Sequence, residues 1–73
     1  MKMTLDEIIT KNLKEEIERS EFKKTEIATA IGVSKATISQ YVSGRIQPTL
    51  ATLSKLCTFL NCSADEILNV KLK

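Results

Sequence analysis

The sequence predicts an all-α fold, a compact bundle of five helices that forms a single domain over residues 1–73. Apolar residues recur at spacings of three and four along most of the chain, which is the period of a helix and not of a strand. Ser, Thr, Gly and Asn stand where that period breaks, as expected at helix starts and ends. At 73 residues the chain is about half an average domain, so one hydrophobic core is expected.

The first predicted helix begins at Leu5 and runs for about four turns. Its apolar residues form one stripe, made of Leu5, Ile8, Ile9, Leu13 and Ile17. Thr4 is followed three residues later by Glu7, the spacing of a capping box, in which each side chain accepts a hydrogen bond from the other residue's backbone N–H group. This pair therefore predicts where the helix starts.

Two shorter helices follow, separated by a tight turn. Their inward residues are Ile27, Ala28 and Ile31 in the second helix, and Ile38 and Val42 in the third. Gly32 is expected to end the second helix because glycine tolerates the positive φ of a helix terminus. Ser34 is a good N-cap for the third helix, and Gly44 is expected to stop it.

The last two helices follow a loop that contains Pro48. Thr49 is the predicted N-cap of the fourth helix, and Asn61 is expected to close it. Its inward stripe consists of Leu50, Leu53, Leu56, Cys57 and Leu60. Ser63 and Glu66 have the spacing of a second capping box, which predicts a short final helix. The predicted core of the domain then spans about residues 5–68, and residues 69–73 form a tail.

The composition argues against several classes of function. The chain has no His, so it cannot build a His-based catalytic triad, and its two thiols are too few for a zinc site. We therefore expect no enzymatic activity, no metal and no other cofactor. No apolar run approaches the roughly 18 residues of a membrane helix. Asp6 and Glu7 stand where a signal peptide would be apolar, so we expect a cytoplasmic protein without membrane contact.

The two cysteines have a structural interpretation. Cys57 falls on the inward stripe of the fourth helix and is most simply a small core residue, whereas Cys62 follows a helix end. A redox pair is the minor alternative, because an intracellular protein normally keeps its thiols reduced.

The net charge of +2 is small, but it is unevenly distributed. Residues 1–21 carry six acids and four bases, residues 22–45 four bases and one acid, and residues 46–73 three bases and two acids. Helix N-termini favour acidic side chains, and the first and last helices follow that rule. Lys23 and Lys24 open the second helix, however, and Lys35 opens the third. A rule broken at two neighbouring helix starts suggests a function for these lysines.

Residues 24–44 read KTEIATAIGVSKATISQYVSG, which has the spacing of two helices joined by a three-residue turn. Together with the PTLATLSKLCTFLNCSADEIL that follows, this segment resembles the Cro/cI-type helix-turn-helix domain of phage repressors and small bacterial regulators. The most specific features are the small Ala28, the turn glycine at 32, Ile38, and Gly44 before the loop. The resemblance implies a five-helix, lambda-repressor-like domain that places its third helix in the DNA major groove, usually as a dimer.

The spacing of apolar residues predicts the outward face of the third helix independently of the family resemblance. If Ile38 and Val42 point inward, Gln40 points most directly away from the core at about 100° per residue. Ala36, Thr37 and Ser43 complete the outward face. Glutamine can pair with adenine, hydroxyls can reach bases or phosphates, and a methyl group can touch thymine. An ordinary solvated face is the alternative interpretation.

The resemblance and the charge pattern together define a set of expected DNA-binding residues. They are Lys24, Thr25, Ser34, Lys35, Ala36, Thr37, Gln40, Ser43 and Arg45. The sequence departs from the family at Lys24, a position that is often Gln and that braces the first residue of the recognition helix, here Lys35. Two lysines cannot hydrogen-bond each other, so each must find a phosphate or base acceptor separately.

The predicted function is that of a sequence-specific transcriptional regulator, a repressor, which binds a palindromic double-stranded DNA operator as a homodimer. No small-molecule ligand is indicated. The last helix and the tail, residues 69–73, are candidate dimer surfaces, and the tail could pair as an edge strand or fray. The alternative is a protein-binding adaptor or antitoxin module that uses the same helical fold. A steep salt dependence of binding to random duplex would separate a repressor from an adaptor.

Overall fold

The computed structural model describes residues 3–70, and the regular structure in this part of the chain is entirely helical. The five helices are α1 (Leu5–Arg19), α2 (Lys24–Ile31), α3 (Lys35–Ser43), α4 (Leu50–Leu60) and α5 (Ala64–Leu68). The predicted all-α, five-helix architecture is confirmed. Within the described range, no helix combines the length and the apolar character that crossing a bilayer requires.

Three helices begin with the side-chain caps that the sequence predicts. The Thr4 hydroxyl accepts a hydrogen bond from the Glu7 N–H group at 3.1 Å, and the Glu7 carboxylate accepts one from the Thr4 N–H group at 2.9 Å. This is a complete capping box at the start of α1. Ser34 and Thr49 cap α3 and α4 by accepting from the N–H groups three residues later, at 3.1 and 3.2 Å.

The capping box predicted at Ser63 and Glu66 is wrong. Helix α5 does begin after Ser63, but the Ser63 side chain makes no capping hydrogen bond in the structure. The backbone ψ of Ser63 is 130°, whereas Thr4 has 163°, Ser34 has 159° and Thr49 has 165°. Because ψ orients the following peptide relative to the side chain, this rotation moves the first N–H groups of α5 away from the hydroxyl.

The last four helices end in the same way. Each terminates at a residue in the left-handed region, with φ of 78° at Gly32, 81° at Gly44, 55° at Asn61 and 59° at Asn69. The next N–H group then bonds a carbonyl five residues back, as in a Schellman motif. The four N–H to carbonyl pairs are Val33 to Ala28, Arg45 to Gln40 and Cys62 to Cys57 at 3.0 Å, and Val70 to Asp65 at 2.9 Å. The first three ends confirm predicted termini.

The end of α5 at Asn69 includes the first residues of the predicted tail. Val70 donates its N–H group to α5, so residues 69–70 belong to a helix cap and not to the edge strand considered for the tail. Residues 71–73 lie outside the described residues.

One apolar core joins all five helices. Its buried members are Leu13, Ile17, Ile27, Ala28, Ile31, Ile38, Tyr41, Leu53, Leu56, Cys57 and Ile67. Helix α1 packs against α3 and α5, α2 packs against α3 and α4, and α4 packs against α5. Helix α3 is therefore held by α1 and α2, and its remaining side is free to face a ligand.

Two side-chain amides tie distant segments to α1. Asn12 donates to the backbone carbonyls of Glu66 at 3.2 Å and Ile67 at 3.1 Å, which fixes the end of α5. Gln47 donates to the carbonyl of Asp6 and to the hydroxyl of Thr10, both at 3.1 Å, which fixes the loop after α3. The loop and the last helix are thus positioned by polar contacts as well as by the core.

Candidate nucleic-acid interface

The outward face of α3 differs from the face that the sequence predicts. Ile38 is fully buried as expected, but its buried partner is Tyr41, which is 5% exposed, and Val42 is only half-buried. Because Tyr41 and not Val42 is buried beside Ile38, the side of α3 that faces the core is rotated by about 50° from the predicted side, at 100° per residue. The most outward residues are then Ala36 and Ser43, which are both exposed.

Gln40 consequently lies on the flank of the outward face and is half-buried. The prediction that it points most directly away from the core is wrong. The cause is the Tyr41 ring, a large apolar surface that packs into the core more completely than the smaller Val42 side chain.

All nine residues expected to bind DNA are at least partly accessible. Six of them are exposed, namely Thr25, Ser34, Lys35, Ala36, Ser43 and Arg45. The other three, Lys24, Thr37 and Gln40, are half-buried. They fall into three local groups, at the start of α2, at the start of α3 and at the end of α3 with its following loop.

The start of α2 has only half of a capping box. The Glu26 carboxylate accepts a hydrogen bond from the N–H group of Lys23, the N-cap residue, at 2.8 Å. Lysine has no acceptor, so its side chain cannot satisfy the first N–H groups of the helix in return. The N-terminus of α2 therefore keeps backbone donors available, beside the exposed Lys23 and the half-buried Lys24.

The start of α3 uses two of the expected DNA-binding residues in its own cap. The Ser34 hydroxyl accepts from the Thr37 N–H group, and the two hydroxyl oxygens lie 3.0 Å apart. This cap accepts the hydrogen bond of the Thr37 N–H group. The N–H groups of Lys35 and Ala36 also lie in the first turn and have no acceptor within the helix. Thr37 thus helps to shape the helix start that Lys35 occupies.

Both helix starts favour an anion. Each helix N-terminus carries a partial charge of about +0.5, and lysines stand at both. Helix α3 has no acidic side chain, and the single acid among residues 22–45, Glu26, accepts from the Lys23 backbone. Helix N-termini and lysines of this kind are suited to bind phosphate groups.

The end of α3 places Arg45 through backbone contacts. The carbonyl of Gln40 accepts hydrogen bonds from the Ser43 hydroxyl at 3.1 Å and from the Arg45 N–H group at 3.0 Å. Gln47 in the same loop is bonded to α1. The backbone that carries the exposed Arg45 side chain is therefore attached to both α3 and α1.

The structure also brings α1 lysines to this end of α3. Ser43 and Arg45 line a shallow groove together with Lys11 and Lys14, and the acids Asp6 and Glu7 line the same groove. Sequence reasoning missed these two lysines because they lie some 30 residues from Arg45 in the chain. The local sequence around them gives no signal of this proximity.

The thiols are free, and burial raises the pKa of both. Cys57 is 8% exposed, which confirms its core position. Burial, together with the neighbouring Cys57 thiol, raises the pKa of Cys62 to about 12. The two residues occupy the positions of the Schellman motif whose side chains commonly touch. Among residues 3–70, no group of three or more His, Cys, Asp or Glu side chains could hold a metal ion.

Comparison with known proteins agrees with this geometry. A family model described as helix-turn-helix matches residues 13–67, a range that contains α2, α3 and the turn between them. No curated protein and no solved structure matches the chain. The matched range exceeds half of the 73 residues. The chain therefore belongs to the Cro/cI-type helix-turn-helix family of DNA-binding regulators.

Proposed function

We propose that this chain is a transcriptional repressor that recognises a palindromic operator as a homodimer, with α3 in the major groove of each half-site. The observation that carries the proposal is the pair of adjacent helix starts, α2 and α3, each opened by lysine and each with free backbone donors. Two such starts can hold the phosphates that flank a groove while the exposed face of α3 meets the base edges.

The residues at the starts of α2 and α3 and in the loop after α3 position the protein on the DNA backbone. Lys24 and Thr25 begin α2, and Ser34 precedes α3, so these side chains approach the sugar-phosphate backbone. Arg45 does so from the loop after α3. Contacts of this kind set the register and orientation of the protein but read no sequence.

Base recognition falls to the face of α3. The Ala36 methyl group suits a thymine methyl group, and the Gln40 amide can pair with adenine from the flank. The Ser43 hydroxyl already donates to the Gln40 carbonyl, so in this geometry it can only accept, for instance from the amino group of cytosine or adenine. Lys35 begins the helix and can reach either a guanine or a phosphate.

The number of base contacts argues for two copies. Helix α3 has only nine residues and offers three or four side chains to the bases. A second copy about one DNA turn away, roughly 34 Å, doubles those contacts and imposes two-fold symmetry on the operator. Occupancy would then depend on the concentration of the protein.

The first test is to select bound sequences from a random duplex pool. A palindromic consensus is expected, and a template with this site overlapping a promoter should be transcribed less when the protein is added. No enrichment, combined with little salt-sensitive binding to any duplex, would contradict the proposal and favour the adaptor or antitoxin alternative.

The roles within the site are tested by two substitutions. Gln40→Ala should weaken binding to the preferred duplex by roughly 1–3 kcal/mol and leave a scrambled duplex nearly unaffected. Lys24→Ala should weaken binding to both duplexes and lower the slope of log affinity against log salt by about one per half-site. Affinities at several salt concentrations measure both effects.

Lys55→Ala is the matched control, because Lys55 is an exposed lysine on α4 and is not one of the proposed DNA-binding residues. It should leave the salt slope unchanged. An equal loss on both duplexes for Gln40→Ala, or a loss confined to the preferred duplex for Lys24→Ala, would show that the roles are assigned wrongly.

A further inference from the structure

Three cationic side chains lie together near the C-terminal end of α3. Lys11 and Lys14 of α1 line the same shallow groove as Ser43 and Arg45. The two lysines are three residues apart in a helix, so they lie on one face of α1. Both are exposed, as is Arg45. Two of the three cations therefore come from a helix to which the proposed function assigns no role.

These cations are not neutralised within the protein. Among residues 3–70, Arg19 forms an ion pair with Glu16 at 3.3 Å, and no other ion pair is present. The groove does contain the carboxylates of Asp6 and Glu7, which belong to the first turn of α1. The Glu7 carboxylate accepts a hydrogen bond from the Thr4 N–H group. The lysine ammonium groups are therefore available to an anion from outside the chain.

The groove lies beside the face of α3 that is proposed to meet the bases. Ser43 is one of the two most outward residues of this helix, and it also lines the groove. An anion in the groove would thus be next to the recognition face and not behind it. The groove is therefore continuous with the proposed DNA-binding surface.

We propose that Lys11 and Lys14 bind a backbone phosphate of the operator beside the C-terminal end of α3. This inference rests on the proposed function and adds two positioning residues to it. Ser43 follows Lys35 by eight residues, which is about 12 Å along the helix at 1.5 Å per residue. One phosphate group cannot span this distance, so the phosphate at Lys11 and Lys14 differs from those held at the starts of α2 and α3.

Helix α1 is held against the end of α3, which fixes the position of the two lysines. A Cβ atom on Gly44 would lie 3.1 Å from Thr10 Cγ2, so the two segments approach closely here. Gln47 donates from the loop to the Thr10 hydroxyl at 3.1 Å. Lys11 directly follows Thr10, so it stays beside the loop that carries Arg45. The lysines and Arg45 can therefore act on the same stretch of DNA backbone.

The chemistry of lysine determines what these contacts contribute. An ammonium group is a point charge with three donors, which binds phosphate without a fixed orientation. Contacts to phosphate position the protein but read no sequence. The two lysines should therefore raise the affinity for every duplex and steepen its salt dependence, and they should leave the preference between duplexes unchanged.

Lys11→Gln combined with Lys14→Gln tests the contact, because glutamine removes the charge and is a good helix former. Arg19→Gln combined with Lys55→Gln is the control. It also removes two positive charges, and neither Arg19 nor Lys55 lines the groove. All four positions are exposed, so both double variants should fold, which circular dichroism verifies.

Affinities for a preferred and a scrambled duplex are measured at several salt concentrations. Each lost phosphate contact lowers the slope of log affinity against log salt by about 0.9. Lys11→Gln with Lys14→Gln should therefore lower it by about 1.8 for each bound copy, equally on both duplexes. The control should keep the wild-type slope. The ratio of the two affinities should be the same in all three proteins.

Duplexes in which one phosphate at a time is replaced by an uncharged methylphosphonate locate the contact. The wild type should lose affinity at each phosphate that it contacts. The variant with Lys11→Gln and Lys14→Gln should become insensitive at a phosphate where Lys24→Ala remains sensitive. This result would place the α1 lysines on a phosphate of their own.

The proposal is overturned if this variant keeps the wild-type slope, or if it and Lys24→Ala lose sensitivity at the same phosphate. Failure of the proposed function has different signatures. If the wild type and the control bind no duplex in a salt-dependent manner, both proposals fail. If they bind all duplexes equally, the repressor function fails, and the slope on the scrambled duplex still decides the contact of Lys11 and Lys14.

Discussion

At the scale of single residues, Cys57 contributes to stability as an apolar side chain. It is 8% exposed and packs in the common core. Cys57→Ser should lower the free energy of unfolding by roughly 1–3 kcal/mol, because a hydroxyl would lose its hydration at this site. Urea denaturation measures the change, and Cys62→Ser, at a half-buried position, should have a smaller effect. Equal losses for the two variants would contradict the difference in burial.

Glu7 links the stability of α1 to pH. Its hydrogen bond with the Thr4 backbone lowers the pKa of the carboxyl below its ordinary value of 4.5. The folded state therefore favours the ionised form, and this contribution is complete above pH 4.5 and is lost as the pH falls through the lowered pKa. Glu7→Gln keeps an acceptor but does not titrate.

The expected result is a smaller loss of thermal stability for Glu7→Gln than for the wild type between pH 7 and about pH 3, followed by circular dichroism. Because the other carboxyls titrate in both proteins, the difference between the two curves isolates Glu7. Superimposable pH profiles would contradict a role for its ionisation.

Tyr41 shows why the residues of the site could be predicted better than their orientation. Sequence spacing identified the outward residues of α3, but Tyr41 and Val42 are both adjacent to the stripe that Ile38 defines. Which of the two enters the core depends on the space that α1 and α2 leave for a ring, and periodicity does not contain that information. That Ala36 and Ser43, and not Gln40, are the most outward residues of α3 could therefore be determined only from the packing.

At the scale of the elements, the two glycine helix ends offer a matched comparison. Both have a positive φ, 78° at Gly32 and 81° at Gly44. A Cβ atom at Gly32 would meet nothing within 4 Å, whereas one at Gly44 would lie 3.1 Å from Thr10 Cγ2. Gly32→Ala should cost about 1 kcal/mol of backbone strain, and Gly44→Ala should cost more because it adds a close contact with α1.

Thr10→Ser separates the two costs. It removes the Cγ2 methyl group but keeps the hydroxyl that accepts from Gln47. In the Thr10→Ser background, Gly44→Ala should cost about as much as Gly32→Ala does, as measured by a double-mutant cycle of unfolding free energies. An undiminished cost of Gly44→Ala would contradict the contact as its source.

Helix boundaries could be predicted because most of their signals are local. A cap and its partner lie three residues apart, so Thr4, Ser34 and Thr49 identify three starts from the sequence alone. The same pattern failed at Ser63, whose ψ of 130° differs from that of the three capping residues. The contacts of Gln47 could not be predicted at all, because its partners lie 37 and 41 residues away.

At the scale of the whole molecule, Asn12 holds α1 and α5 together. It donates to the carbonyls of Glu66 and Ile67 in the last turn of α5, and the Glu66 carbonyl also accepts from the Asn69 N–H group. Asn12→Ala should lower the free energy of unfolding by about 0.5–1.5 kcal/mol and should speed amide hydrogen exchange mainly in α5. Lys11→Ala, at an exposed neighbouring position, is the control. Unchanged exchange in α5 would argue against this role.

The contact between α1 and α5 also orders events during synthesis. Asn12 reaches its partners across 54 and 55 residues of chain, so a growing polypeptide cannot form this contact until residue 67 has left the ribosomal exit tunnel. The α2–α3 pair emerges well before that point, and its own contacts are local in sequence. The apolar stripe of α1 is the first to be translated and the last to gain all its partners, and in that interval it is the surface most available to a chaperone.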